Sequence, residues 1–201
     1  MTTVPSADPT VPLHRRSIEY EVFDAGENLA VVGRLRDTRP WASGTGEVER
    51  VHDMELRVTV RIDDMSIIEA DAVMHTFPHV ECPAIVAAFR SLVGLNVARG
   101  YTREVQSRFS GAKGCAHLEH LARSLGPVVV QAVTSRRALA VARGEADQVF
   151  ATTGTPWIRN TCHVWVDGGV AEQKLAAGWR PGFGPYPNPS LETFRSGNAP
   201  G

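Results

Sequence analysis

The sequence predicts an α+β protein, on three observations. A run of strict apolar–polar alternation covers Met54 to Ile62, the pattern of a half-buried strand. The period changes to helical spacing from Pro83 onward. Alternation returns only late, from Ile158 to Val166, followed by the turn residues Asp167-Gly168-Gly169. Strands, then helices, then one late hairpin is the segregated order of α+β folds. The expected architecture is an antiparallel meander followed by helices packed on one face.

The elements follow in chain order. Ser17 to Ala25 places Ile18, Tyr20 and Val22 on one face, and Gly26-Glu27-Asn28 supplies a turn into a second strand, Leu29 to Leu35. Residues 42–47 read as a loop. In the third strand Met54, Leu56, Val58, Val60 and Ile62 alternate with Glu55, Arg57, Thr59 and Arg61. Asp63 to Ser66 turns the chain back into Ile67 to Met74. Pro83 to Leu95 carries Ile85, Val86, Phe89, Leu92 and Val93 at helical spacing, with proline at the first helical position, where no donor is missed. A short helix follows Gly100, and a long one spans Cys115 to Arg143 with Pro127 inside it.

The 201 residues divide into an arm (1–13), a single domain (14–180) and a tail (181–201) with five Pro and four Gly, too rich in both for regular structure. Apolar residues make up 43% and charged residues 21%, ordinary for a globular chain. The net charge of −1 offers no basic field for nucleic acid or an anionic membrane. The N-terminus lacks an apolar signal core, and no apolar run approaches the roughly 18 residues of a membrane span. A cytoplasmic protein with reduced thiols is the expectation, and three Cys, an odd number, argue against a disulfide framework. GTG at 44–46 does not join a strand to a helix, so no nucleotide cofactor is expected.

Each Cys has a His nearby: His79-x-x-Cys82, Cys115-x-His117 and Cys162-His163. Cys82 and Cys115 stand at predicted helix starts, where unpaired N–H groups and the helix dipole favour thiolate. Cys162 falls on a strand, on the face of Ile158 and Val164, and reads as packing. His52 opens the third strand. His14 reads as solvated, and His120 as a surface group.

The stretch from His52-Asp53-Met54 to Leu118 resembles the bacterial domain family DUF2889. The resemblance is carried by Glu81-Cys82-Pro83, Leu92-Val93-Gly94-Leu95, Gly100-Tyr101 and Gly114-Cys115-Ala116-His117-Leu118. Upstream, Arg15-Arg16 and Gly33-Arg34-Leu35-Arg36-Asp37 match as well. It covers most of residues 14–170 and implies no particular activity. The layout is also similar to the iron–sulfur scaffold proteins of the NifU N-terminal/IscU type. Those have a Cys-x-Asp before a strand, a ligand Cys before a helix and a Cys opening a long helix. Arg50 and His52 occupy the first positions here, Cys82 the second and Cys115 the third, with His117 alongside. With one Cys lost, the resemblance implies a mononuclear ion rather than a cluster.

Three functional readings follow. In the first, His52, Cys82, Cys115 and His117 hold zinc or iron in a metal-dependent hydrolase or lyase. There His117 is either fourth ligand or general base. Asp53, His79 or Glu81 serve as acid–base or supporting groups, and Arg15, Arg16, Arg34 and Arg36 receive a small anionic substrate. In the second, Cys115 is a nucleophile without metal, activated by the helix start and by His117 or His52. In the third, the chain is a metal carrier or a structural-metal module. Trp179, Phe183 and Tyr186 in or near the tail either cover a pocket or pack on a partner subunit, which leaves room for a homo-oligomer.

Overall fold

A computed structural model describes residues 10–42, 49–145, 158–180 and 187–197. The chain forms two compact units, Met1–Val129 and Val130–Gly201, with the division falling inside the longest helix.

The first unit is built on a four-stranded antiparallel sheet in the order β1-β2-β3-β4. The strands are β1 (Arg15–Ala25), β2 (Asn28–Arg39), β3 (Glu49–Arg61) and β4 (Ile67–Thr76). All four predicted strands form. β2 and β4 run past the alternation, to Arg39 and Thr76, and β1 and β3 begin before it, at Arg15 and Glu49, while β3 stops at Arg61, one residue short of Ile62.

The period-two pattern divides the sheet into two chemically distinct faces. Leu29, Val31 and Leu35 of β2 are buried beside Met54, Leu56, Val58 and Val60 of β3. Tyr20 pairs with Gly33 in the β1–β2 register. Its ring lies over Gly33, where a Cβ would meet the ring at 2.5 Å, so only glycine fits under it. The Tyr20 hydroxyl donates to the Leu121 carbonyl at 2.7 Å, tying β1 to α2 (Ala116–Ala142). Burial pushes the Tyr20 phenol up to about 12, so the hydroxyl remains a donor at any ordinary pH.

The predicted helix from Pro83 folds as an 11-residue 3-10 helix, Cys82–Leu92. Val86, Phe89 and Leu92 recur every third residue, the spacing that keeps one face of a 3-10 helix together. Phe89 and Leu92 are buried, and Phe89 stacks on Phe109 of α1 (Tyr101–Phe109), ring centroids 4.3 Å apart. The chain leaving this segment returns along β4, with Gly94 N–H donating to the Ile67 carbonyl and Ile67 N–H to that of Leu95.

Two expectations fail in the second unit. Residues 158–169 form turns rather than a strand and hairpin, and Gly169 leads into α3 (Val170–Ala176). Local polar bonds outcompete the ladder: the Asn160 side-chain carbonyl accepts from Asp167 N–H, and Glu172 accepts from Gly168 N–H at the helix start. Cys162 is accordingly exposed, not packed. The tail contains a short helix, α4 (Leu191–Arg195), capped by Ser190 accepting from Thr193 N–H. Residues 1–9, 43–48, 146–157, 181–186 and 198–201, with Phe183 and Tyr186, lie outside the described residues. Among the described residues no helix is long and apolar enough to cross a membrane.

Candidate metal centre

Extending the alternation of β2 and β3 by one step locates the site. Along β2 the buried face runs Leu29, Val31, Gly33, Leu35 and then Asp37. Along β3 it runs back from Val60 through Leu56 and Met54 to His52. Asp37 and His52 are register partners, and the ladder shifts immediately afterwards, so that Thr38 faces Arg50 and Val51 is the extra residue. Such bulges re-aim side chains at strand ends. The two polar residues therefore cap the apolar face of the sheet at one end.

Helix α2 supplies the third member from above. Cys115 precedes the helix and its carbonyl accepts from Glu119 N–H, so His117 sits in the first turn. Gly114 sets the approach: a Cβ there would lie 2.3 Å from the Phe109 carbonyl oxygen. Only glycine allows the chain to pass α1 that closely.

The three residues converge on one oxygen. His52 Nδ1 lies 3.1 Å and His117 Nε2 3.3 Å from Asp37 Oδ2. The two imidazole rings face each other at 3.8 Å between centroids. Among the described residues Asp37, His52 and His117 form the group of His, Cys, Asp and Glu donors able to share an ion, all ligand atoms lying within 4.8 Å of one another. Bonds of about 2.1 Å place neighbouring ligands of a single ion about 3.0–3.4 Å apart, and the two imidazole contacts to Asp37 fall in that window. Arg16 closes the other side, its Nε donating to Asp37 Oδ1 and Nη2 to Oδ2, each at 2.7 Å. His14 Nε2 is 3.1 Å from Oδ1.

Burial by itself would raise the Asp37 carboxyl, which is 1% exposed, but hydrogen bonds from Arg16, His14 and His52 outweigh it and hold the group well below the usual carboxylate range. His117 is shifted down, first by burial and then by the neighbouring His52, so its ring favours the neutral form with a lone pair available for a cation.

The structure distributes the other sequence-predicted residues differently. Cys115 is adjacent: its Sγ is 3.7 Å from His117 Nδ1, the ring edge turned away from Asp37. Cys82, half-buried at the start of the 3-10 helix, is not in the donor group, and His79 is exposed, its carbonyl accepting from Cys82 N–H. Asp53 follows His52 directly and so points to the opposite face of the sheet. There it is fully buried beneath Arg34, which forks onto it with two 2.7 Å bonds, and beside Arg50 and Arg36 at 3.3 and 3.8 Å. Arg15 also lies off the cluster, exposed at the end of β1. Arg16 is the predicted arginine that reaches the centre, and His14, read as solvated, touches it too.

Asp37 is the member that sequence reading missed. Its signal is present: a carboxylate in register with Leu29, Val31 and Leu35 must be paired to be tolerated in a buried position.

The fold and this cluster define an α+β sheet protein with a histidine–carboxylate centre under its first long-helix turn. The family model DUF2889, described as a protein of unknown function, matches residues 14–131, and the chain belongs to that family. The matched segment begins at His14 and contains every residue of the cluster. No curated protein and no solved structure matches the chain.

Proposed function

We propose that this chain is a metal-dependent enzyme of the cytoplasm. Asp37, His52 and His117 hold one zinc or iron ion and leave positions open for water and a small anionic organic substrate. The reading rests on one observation: two imidazoles and a carboxylate from three separate elements meet within 4.8 Å at the end of the buried sheet face. Two histidines and one carboxylate suit both ions, and three protein ligands leave coordination positions free, whereas structural sites are closed by four. A bound ion would supply an activated water and polarise a substrate oxygen, the chemistry of hydrolases and lyases.

The protein's own groups have definite tasks. Asp37 provides the charge, its carboxyl held well below the usual carboxylate range by Arg16, His14 and His52 before an ion binds. His117 offers Nε2 while its Nδ1 edge faces the Cys115 thiol, which orients the ring without sharing the ion. The donor set thus keeps His52 and His117 from the sequence expectation, replaces both cysteines and adds Asp37. The test is Co²⁺ titration of chelator-treated protein. Ligand-field bands saturating at one ion per chain, and lost in His52→Ala and His117→Ala, are expected. A wild-type chain that develops no bands overturns the reading.

A second reading is favoured by the line Cys115 Sγ–His117 Nδ1, His117 Nε2–Asp37 Oδ2, at 3.7 and 3.3 Å. It is the order of a thiol, a base and an orienting carboxylate, with the thiol at the start of a long helix. In this reading Cys115 alkylates far faster than Cys162 in metal-free protein, and Asp37→Asn slows it. Equal rates at the two thiols reject it, despite the greater exposure of Cys162.

A further inference from the structure

Arg16 stands where a metal ion must come. Its fork already takes both oxygens of Asp37, at 2.7 Å each, and its Nη2 donates to the same Oδ2 that His52 and His117 approach. A divalent ion on Asp37 Oδ2, His52 Nδ1 and His117 Nε2 would share that oxygen with a guanidinium, and like charges in a poorly hydrated site repel. The repulsion sets the two cations in competition for Asp37. Arg16 is the one free to move: it lies on the edge strand β1 and its side chain is 38% exposed, while Asp37 is 1% exposed.

We infer that Arg16 is a built-in counter-cation that metal displaces from Asp37, and that the released guanidinium then clamps a carboxylate of the substrate beside the ion. This rests on the metal reading above and names the substrate class it implies. The carboxylate group is argued from shape, since Arg16 already makes the planar two-bond fork with a carboxylate that it would make with a substrate's. It is also argued from charge. With Arg16 on Asp37 the pair is neutral. Loading adds two positive charges, which a small molecule bearing two carboxylates offsets, one group on the ion and one on Arg16. His14, half-exposed and 3.1 Å from Asp37 Oδ1, stands beside Arg16 at this cationic entry.

The experiment uses the full chain, Mn²⁺ and oxalate, followed by titration calorimetry. Relative to wild type, Arg16→Met is expected to bind Mn²⁺ at least tenfold tighter, because the competing cation is gone. In Mn²⁺-saturated protein the same variant is expected to bind oxalate at least tenfold more weakly. Arg16→Lys keeps the charge without the fork and should retain wild-type-like Mn²⁺ affinity while losing oxalate affinity. Should Arg16→Met not fold, Arg16→Gln, neutral and polar, carries the same two expectations. Unchanged Mn²⁺ affinity in Arg16→Met, or unchanged oxalate affinity in either variant, overturns the inference while leaving the metal site standing. Failure of wild-type protein to bind Mn²⁺, Co²⁺ or Zn²⁺ overturns the metal reading and the inference with it.

Discussion

Asp53 and Asp37 are two buried carboxylates on opposite faces of one sheet, and replacing Asp53 separates their roles. Asp53 accepts a two-bond fork from Arg34 at 2.7 Å and has Arg50 at 3.3 Å, yet the arginines themselves are 32% and 53% exposed. Removing one partner of a fully buried pair costs about 3–5 kcal/mol. Partial hydration of the abandoned arginines reduces this, and asparagine keeps one accepting oxygen. Asp53→Asn is therefore expected to cost about 2 kcal/mol, in line with the loss of one charge-assisted bond of about 1.5–3 kcal/mol. With a urea slope of about 2 kcal/mol/M, the midpoint falls by about 1 M at pH 7. The pH dependence has a definite sign. Burial would raise the Asp53 carboxyl, but Arg34, Arg36 and Arg50 hold it below its ordinary value in the folded state. A carboxyl depressed on folding contributes stability above its unfolded value of about 3.9 and loses it as pH falls toward the folded one. The gap between wild type and Asp53→Asn should thus be full at pH 7 and narrower at pH 3, measured by far-UV circular dichroism in chelator. Equal midpoints at pH 7, or a gap of the same size at pH 3, would show that the Asp53–Arg34 pair does not stabilise the fold through its charge.

Other outcomes follow from the same geometry. Gly114→Ala forces a Cβ to within 2.3 Å of the Phe109 carbonyl, so the backbone must shift. A loss of about 1–3 kcal/mol is expected in a thermal melt, with weakened metal uptake because Cys115 and His117 move with it. Cys115→Ser should leave metal stoichiometry unchanged in elemental analysis, since the thiol faces the Nδ1 edge of His117; loss of the ion would make Cys115 a ligand. Tyr20→Phe removes a 2.7 Å bond to Leu121 and should cost about 0.5–1.5 kcal/mol in urea unfolding, while unchanged stability would show that water replaces the bond at no cost.

The sheet was legible because its two faces differ chemically, and Met54 to Ile62 or Leu29 to Leu35 states that difference residue by residue. The helices were legible from their apolar spacing, although Val86, Phe89 and Leu92 satisfy a three-residue period as well as a 3.6-residue one, and the tighter helix prevailed. The late hairpin misled because Asp167-Gly168-Gly169 suits a helix entry as well as a strand reversal, and Asn160 and Glu172 supply the bonds that decide it. His52 and His117 stood out by residue type. Asp37 did not, because sequence neighbours said nothing of its register partner, and only the β2–β3 pairing brings it opposite His52. Cys82 and Cys115 share a local feature, a helix start, but the two starts serve different elements, and His117 lies beside Cys115 alone.

The most direct test is equilibrium dialysis of Zn²⁺ against the chelator-treated 201-residue chain, with wild type, Asp37→Asn, His52→Ala, His117→Ala and Asp53→Asn compared at pH 7.5. One tightly held ion is expected in wild type and in Asp53→Asn, and at least a tenfold loss of affinity in each of the other three while their circular dichroism is retained. Wild-type protein that holds no ion, or full binding by the folded Asp37, His52 and His117 variants, would contradict the metal reading.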